Sequence, residues 1–239
     1  MISFLCESRK PCRAFACALL VVFQASCSQT LVDRAIDARG GALESYDKEV
    51  DATVVAGVPG EWTWSLAYRV PESFRWTLPT LGEEQRLLFD GTMARHQLGG
   101  ATLPAVKGDG DVRSQAQWFA VTSLDVLRDP RVSWRELDRD ELPPGASAGL
   151  RASFADIPGS FELFFDDRGL LSRARGTVAL ALIGKGVLDA RFSDYRAVDG
   201  YQFPFAGEYY LDGAPLMRER VRRWVPNAPA LTAGAFSVQ

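Results

Sequence analysis

The sequence predicts an α+β domain: one large antiparallel sheet with two helices to cover it. Three observations carry this expectation. Apolar and polar residues alternate strictly along much of the chain, Asp-Gly pairs separate successive alternating runs, and helical spacing is confined to two short segments. Alternation at period two marks a strand with one buried face, whereas recurrence every three to four residues marks a helix.

The first helix is expected over residues 29 to 39, where Leu31, Ala35 and Ile36 fall at helical spacing and Gly40-Gly41 stops the chain. The period then changes. Trp62, Trp64, Leu66, Tyr68 and Val70 take the even positions of one run, with Thr63, Ser65, Ala67 and Arg69 between them. Pro71 interrupts the ladder, and Phe74, Trp76 and Leu78 resume it against Arg75 and Thr77. Further strands are expected at 84–90, 92–98, 131–137, 149–154, 160–166, 170–183, 187–196, 202–211 and 216–225. Asp90-Gly91, Asp199-Gly200 and Asp212-Gly213 lie between strand-like runs, where Asp-Gly supplies the positive φ angles of a tight turn. The second helix is expected over 112–128, with Val112, Ala116, Phe119, Val121, Leu124 and Leu127 at helical spacing. Asp111 would be its N-cap and Asp129-Pro130 its stop. The stretch from Leu142 to Gly149 reads as a loop.

The N-terminus carries a separate signal. All four cysteines, Cys6, Cys12, Cys17 and Cys27, lie in the first 27 residues. Arg9, Lys10 and Arg13 precede an apolar run from residue 14 to 23, and Ala25-Ser26 supply the small residues of a cleavage site. The run is too short to span a bilayer comfortably, which takes about 20 residues. Residues 1–26 therefore read as a signal peptide, and a small-small-Cys ending resembles a bacterial lipobox, which would make Cys27 the acylated first residue. Gln24 stands where that motif usually has Leu, so ordinary cleavage near Ser26 and an uncleaved anchor stay open. Residues 27–239 are read as one domain, because no composition shift marks a linker.

Charge and composition exclude several classes. Without the leader the formal charge moves from −3 to −5, since three cations and one carboxylate leave with it. Nucleic-acid affinity rests on neutralising phosphates, so no nucleic-acid partner is expected. No cysteine follows Cys27, so stability must come from burial, for which 47% apolar composition suffices. His96 is the only histidine and reads as an exposed residue near a turn. One histidine cannot build a Cys/His zinc site, and no Gly-x-Ser-x-Gly elbow accompanies it. Lys107-Gly108-Asp109-Gly110-Asp111 lacks the further oxygen ligands of a Ca²⁺ loop. Asp166-Asp167 reads as a hairpin turn rather than an acid–base pair. No cofactor, metal or catalytic set is expected. Arg218, Arg220 and Arg222 form an outward basic stripe, read as a solvated strand face or as an attraction to anionic headgroups.

The inward set is unusually aromatic. Trp62, Trp64, Tyr68, Phe74 and Trp76 belong to it, and Phe161, Phe165, Phe192 and Phe203 are expected to join them. Two helices cannot easily fill the concave side of a long curved sheet, so an aromatic-lined cavity and a completely filled core both stay open.

The stretch Tyr68-Arg69-Val70-Pro71-Glu72-Ser73-Phe74-Arg75-Trp76, with Glu84-Gln85 and Asp90-Gly91 after it, resembles the LolA/LolB-type lipoprotein-carrier superfamily. Phe192-Ser193-Asp194-Tyr195, Asp199 to Pro204, Val225-Pro226-Asn227-Ala228-Pro229 and Phe236 resemble its late strands, and Ala35 to Gly41 its opening. The resemblance implies an unclosed half-barrel, a curved antiparallel sheet with helices as lid, shielding acyl chains in an apolar cavity. Trp62, Trp64, Leu66, Tyr68, Phe74, Trp76 and Leu78 would line it, together with Phe161, Leu163, Phe165, Phe192 and Phe203 from the C-terminal half. In the soluble carrier an arginine directly before the proline latches the lid. Here Val70 stands there and Arg69 precedes it on the opposite face, so the latch is not carried over. The expected function is a non-enzymatic envelope lipoprotein that binds a lipid or acylated protein and is tethered to the membrane through Cys27. Ser28 after the anchor favours the outer membrane, periplasmic face; a soluble periplasmic form is the alternative. The rival function is an interaction or sensor module with a filled core, similar to periplasmic anti-sigma regulators.

Overall fold

The computed structural model describes residues 29–80, 83–99, 101–104, 106–107, 110–155, 159–180 and 184–237. The leader and Cys27 lie outside the described residues. Helix α1 (Leu31–Arg39) opens the fold, with the Thr30 hydroxyl accepting from the Asp33 amide and Gly40 ending it at φ 112°. Gly40 also passes so close to the Gly200 carbonyl that any Cβ would collide with it. Strands β1 (Ser45–Val54), β2 (Gly60–Arg69), β3 (Ser73–Thr80), β4 (Glu83–Phe89) and β5 (Met93–Leu98) follow as antiparallel neighbours, with short β6 (Ala101–Thr102) and β7 (Val106–Lys107) on β5. Helix α2 (Gly110–Ser123) leads through a 3-10 turn (Asp125–Arg128) into β8 (Val132–Glu136), β9 (Ala148–Phe154) and β10 (Phe161–Phe165). Three long strands close the chain after β11 (Leu171–Leu180): β12 (Gly184–Val198), β13 (Tyr201–Leu211) and β14 (Ala214–Pro226).

The sheet order is β6-β5-β4-β3-β2-β1-β14-β13-β12-β11-β10-β9-β8, antiparallel throughout, so β6 and β8 are its free edges. The first and last long strands meet in the middle, Tyr46 opposite Pro226 and Val54 opposite Met217. This topology dictates the lid. The chain runs outward to the β5–β7 rim and must reach the opposite rim to begin β8, and α2 is the segment that crosses. It touches β4 on one side and β10 and β11 on the other. The result is the expected α+β half-barrel, an unclosed sheet with helices over its concave face.

Three local expectations change. Strand β1 was not anticipated, because Asp47, Lys48, Glu49 and Asp51 hide its alternation. Tyr46, Lys48, Val50 and Ala52 are nevertheless its buried face. The second helix ends at Ser123 instead of continuing to 128, because Leu124 takes φ 69° and re-aims the chain into the 3-10 turn. Asp111 lies within the first turn of α2 rather than capping it.

Candidate functional site

Between the helices and the central strands the side chains leave a cavity of about 150 Å³ that opens to solvent. Trp64 and Trp76 line one wall, edge to face at 6.2 Å, and Phe192, Phe203, Leu188 and Met217 line the other. The lid side contributes the short Ala35, Thr122 and Ser123 beside the larger Arg39, Gln115, Trp118, Phe119 and Leu124. Phe203 stacks at 4.3 Å on Trp224, and Phe192 meets Tyr209 edge to face, so packing behind them holds both rings.

The expected lining thus divides. Trp64, Trp76, Phe192 and Phe203 are on the cavity wall. Leu66, Tyr68, Phe74, Phe161, Leu163 and Phe165 share the concave face but are buried in filled core. Phe119 of α2 packs on Phe74 at 5.3 Å, and Trp118 packs towards Phe161 at 6.4 Å. The Tyr68 hydroxyl is spent on the Pro71 carbonyl. Trp62 sits half-buried at the β1–β2 turn, its indole N–H donating to the Val58 carbonyl, and half-buried Leu78 packs at the rim of the core.

Sequence reasoning missed the polar centre of the cavity. The Lys48 Nζ lies 3.3 Å from Glu219 Oε1, and the Tyr209 hydroxyl donates to the same oxygen at 2.7 Å. Lys48 also stands 4.9 Å over the Trp64 ring. Burial, reinforced by the Glu219 charge, pushes the Tyr209 phenol well above its ordinary range, so it remains a donor. A charge at an inward position of an alternating strand was the available signal. Glu219 falls in register with Met217 and Val221, and Lys48 with Tyr46 and Val50.

A second buried pair ties the helices together. The Arg39 guanidinium lies 2.8 Å from Asp125 and donates to the Gly41 and Ser123 carbonyls, while the Leu43 amide donates to Asp125. Burial raises the Asp125 carboxyl and the Arg39 charge opposes that rise. Arg69 is not part of this cluster or of the cavity wall. His96 is half-buried on β5, not exposed as expected, because it lies opposite Leu87 and so shares that residue's buried face of the sheet. Asp166 accepts from the Leu170 and Arg168 amides as the cap of a hairpin. The exposed arginines of β14 meet carboxylates across the convex face: Arg218 lies 3.4 Å from Glu208 and Arg222 3.6 Å from Asp51. Among the described residues no three His, Cys, Asp or Glu side chains could hold a metal, and no helix is long and apolar enough to cross a membrane.

No protein-family model matches the chain, and no curated protein matches it. Solved structures match its fold over nearly the whole described length. A LolA superfamily protein from Nitrosomonas europaea superposes with a TM-score of 0.61 at 11% identity, covering 88% of this chain and 97% of that one. A domain named for outer membrane lipoprotein sorting, from Vibrio parahaemolyticus, gives 0.54 at 9% identity, over 86% and 94% of the two chains. A DUF1329 family protein from Desulfovibrio piger gives 0.53 at 9% identity, over 87% and 95%. At such identities the likeness is one of fold.

Proposed function

We propose that this chain, whose fold is the LolA-type half-barrel, binds a lipid or the acyl chain of a lipoprotein in its central cavity, without catalysis. The observation that carries the reading is the apolar cavity itself. Its walls are rings held from behind, and its lid side sets the rings of Trp118 and Phe119 beside the short Ala35, Thr122 and Ser123. Each methylene moved from water into such a space gains about 0.8 kcal/mol, so a twelve-carbon chain gains roughly 8 kcal/mol before the costs of association. That gain is large enough to hold an amphiphile without a covalent bond. The names of the similar structures, a LolA superfamily protein and a lipoprotein-sorting domain, agree with this reading.

The N-terminal sequence supports export and acylation at Cys27, which would tether the half-barrel to the outer membrane on its periplasmic face. There it would receive or pass on lipids or lipoproteins. Labelled palmitate incorporated by the native chain, and lost in Cys27→Ser, is the expected result; equal labelling of both would remove the anchor from the account.

The binding reading is tested with the apolar reporter 1-N-phenylnaphthylamine. Its fluorescence is expected to rise to saturation on the native protein and to stay low on Trp76→Arg, which places a charge on the wall. A native protein that leaves the reporter dark would reject the reading.

A further inference from the structure

We infer that the cavity selects amphiphiles whose polar end is uncharged and carries a hydroxyl or an amide, and that Lys48, Glu219 and Tyr209 make the selection. The inference rests on the acyl-binding reading above and names the ligand class within it. Lys48 comes from β1 and Glu219 from β14, neighbouring strands at the middle of the sheet, and both line the cavity. Their side chains are only 10% and 5% exposed, so neither charge is solvated by bulk water. Charges held this deep are tolerated when matched, and a third charge beside them would be left without a partner. The other charged side chain on the wall, Arg39, is matched by Asp125. The lining is therefore neutral as a set, which already disfavours an ionic headgroup.

The bonds already made define what is left for a ligand. Glu219 Oε1 accepts from Tyr209 and from Lys48, whereas Glu219 Oε2 is buried without a hydrogen-bond partner. A buried acceptor lacking a donor is an unfavourable state that a bound donor would relieve. The Lys48 ammonium has three donors, one of which is turned to Glu219. The site thus presents an acceptor and donors side by side. A hydroxyl, or the N–H and C=O of an amide, can donate a hydrogen bond to Oε2, once the carboxylate turns this buried oxygen to the ligand, and accept one from Nζ. A carboxylate has no proton to give and sets a second anion next to Glu219. An alkylammonium cannot accept and faces Lys48. Trp64 beneath the ammonium and Phe192 beside Tyr209 put apolar surface against the polar trio, where the first carbons of the chain would lie.

Three probes of one chain length separate these cases: 1-monolauroylglycerol, laurate and dodecylammonium, each displacing 1-N-phenylnaphthylamine from the full chain. The native protein is expected to bind monolauroylglycerol at least about tenfold more tightly than either ion. Glu219→Gln leaves Lys48 unmatched and is expected to move the preference to laurate. Lys48→Met leaves Glu219 unmatched and is expected to move it to dodecylammonium. Should a single variant not fold, Lys48→Met/Glu219→Leu removes both charges, and its affinities for the three probes are expected to agree within about threefold. Equal affinities in the native protein, or a preference for laurate, would overturn the inference and leave acyl binding standing. Failure of the reporter and of all three probes would overturn acyl binding itself.

Discussion

The flanks and the centre of the half-barrel are written in the same alternating aromatic pattern, yet the flanks are solid and the centre is hollow. On the flanks α2 supplies ring for ring, Phe119 against Phe74 and Trp118 towards Phe161. Over the central strands the lid offers the short Ala35, Thr122 and Ser123, and Trp64, Trp76, Phe192 and Phe203 face a space that Trp118 and Phe119 also border. Period two therefore determines which face is inward. The length of the side chains opposite determines whether that face becomes core or cavity.

Phe74 and Trp76 offer the sharpest contrast, two residues apart on one strand and one face. Phe74→Ala empties a fully buried site and is expected to cost about 3–5 kcal/mol in denaturant unfolding. Lys48→Met strands the Glu219 carboxylate and is expected to cost about 3 kcal/mol, most of it regained in the double variant with Glu219→Leu. Trp76→Ala removes a half-buried ring from the wall and is expected to cost about 1–2 kcal/mol, while weakening reporter binding about tenfold. A Trp76→Ala cost equal to that of Phe74→Ala would mean the centre is as solid as the flanks. Thr122→Phe would add a further ring to the lid side of the centre. It is expected to abolish reporter binding while stability moves by about 1 kcal/mol or less in either direction. Arg218→Ala on the convex face removes an exposed pair and is expected to change stability by less than about 0.5 kcal/mol.

The sheet was legible in the sequence because Trp62 to Val70 and Phe74 to Leu78 alternate, Ala67 excepted, and because Asp-Gly turns separate the later strands. Strand β1 was not, since charged residues fill its convex face and Lys48 enters its concave one. The cavity wall was half legible. Leu66 and Trp64 have the same parity and chemistry, and only the placement of α2 makes one core and the other wall. That placement follows from long-range strand order, which no local pattern contains. The polar trio was concealed differently. Glu219 sits between Arg218 and Arg220, where a basic stripe draws the eye, although its parity with Met217 and Val221 already marks it as inward; its partner Lys48 lies on the unanticipated β1.

Native mass spectrometry with organic extraction, on the chain purified from an expressing cell envelope, reads whether the centre is hollow and holds an amphiphile. A protein peak displaced by the mass of a neutral lipid, recovered in the extract and absent from Trp76→Arg, is expected. A bare protein mass that also stays unchanged when 1-monolauroylglycerol and a diacylated lipopeptide are added would contradict it, and would make the centre a filled core like the flanks.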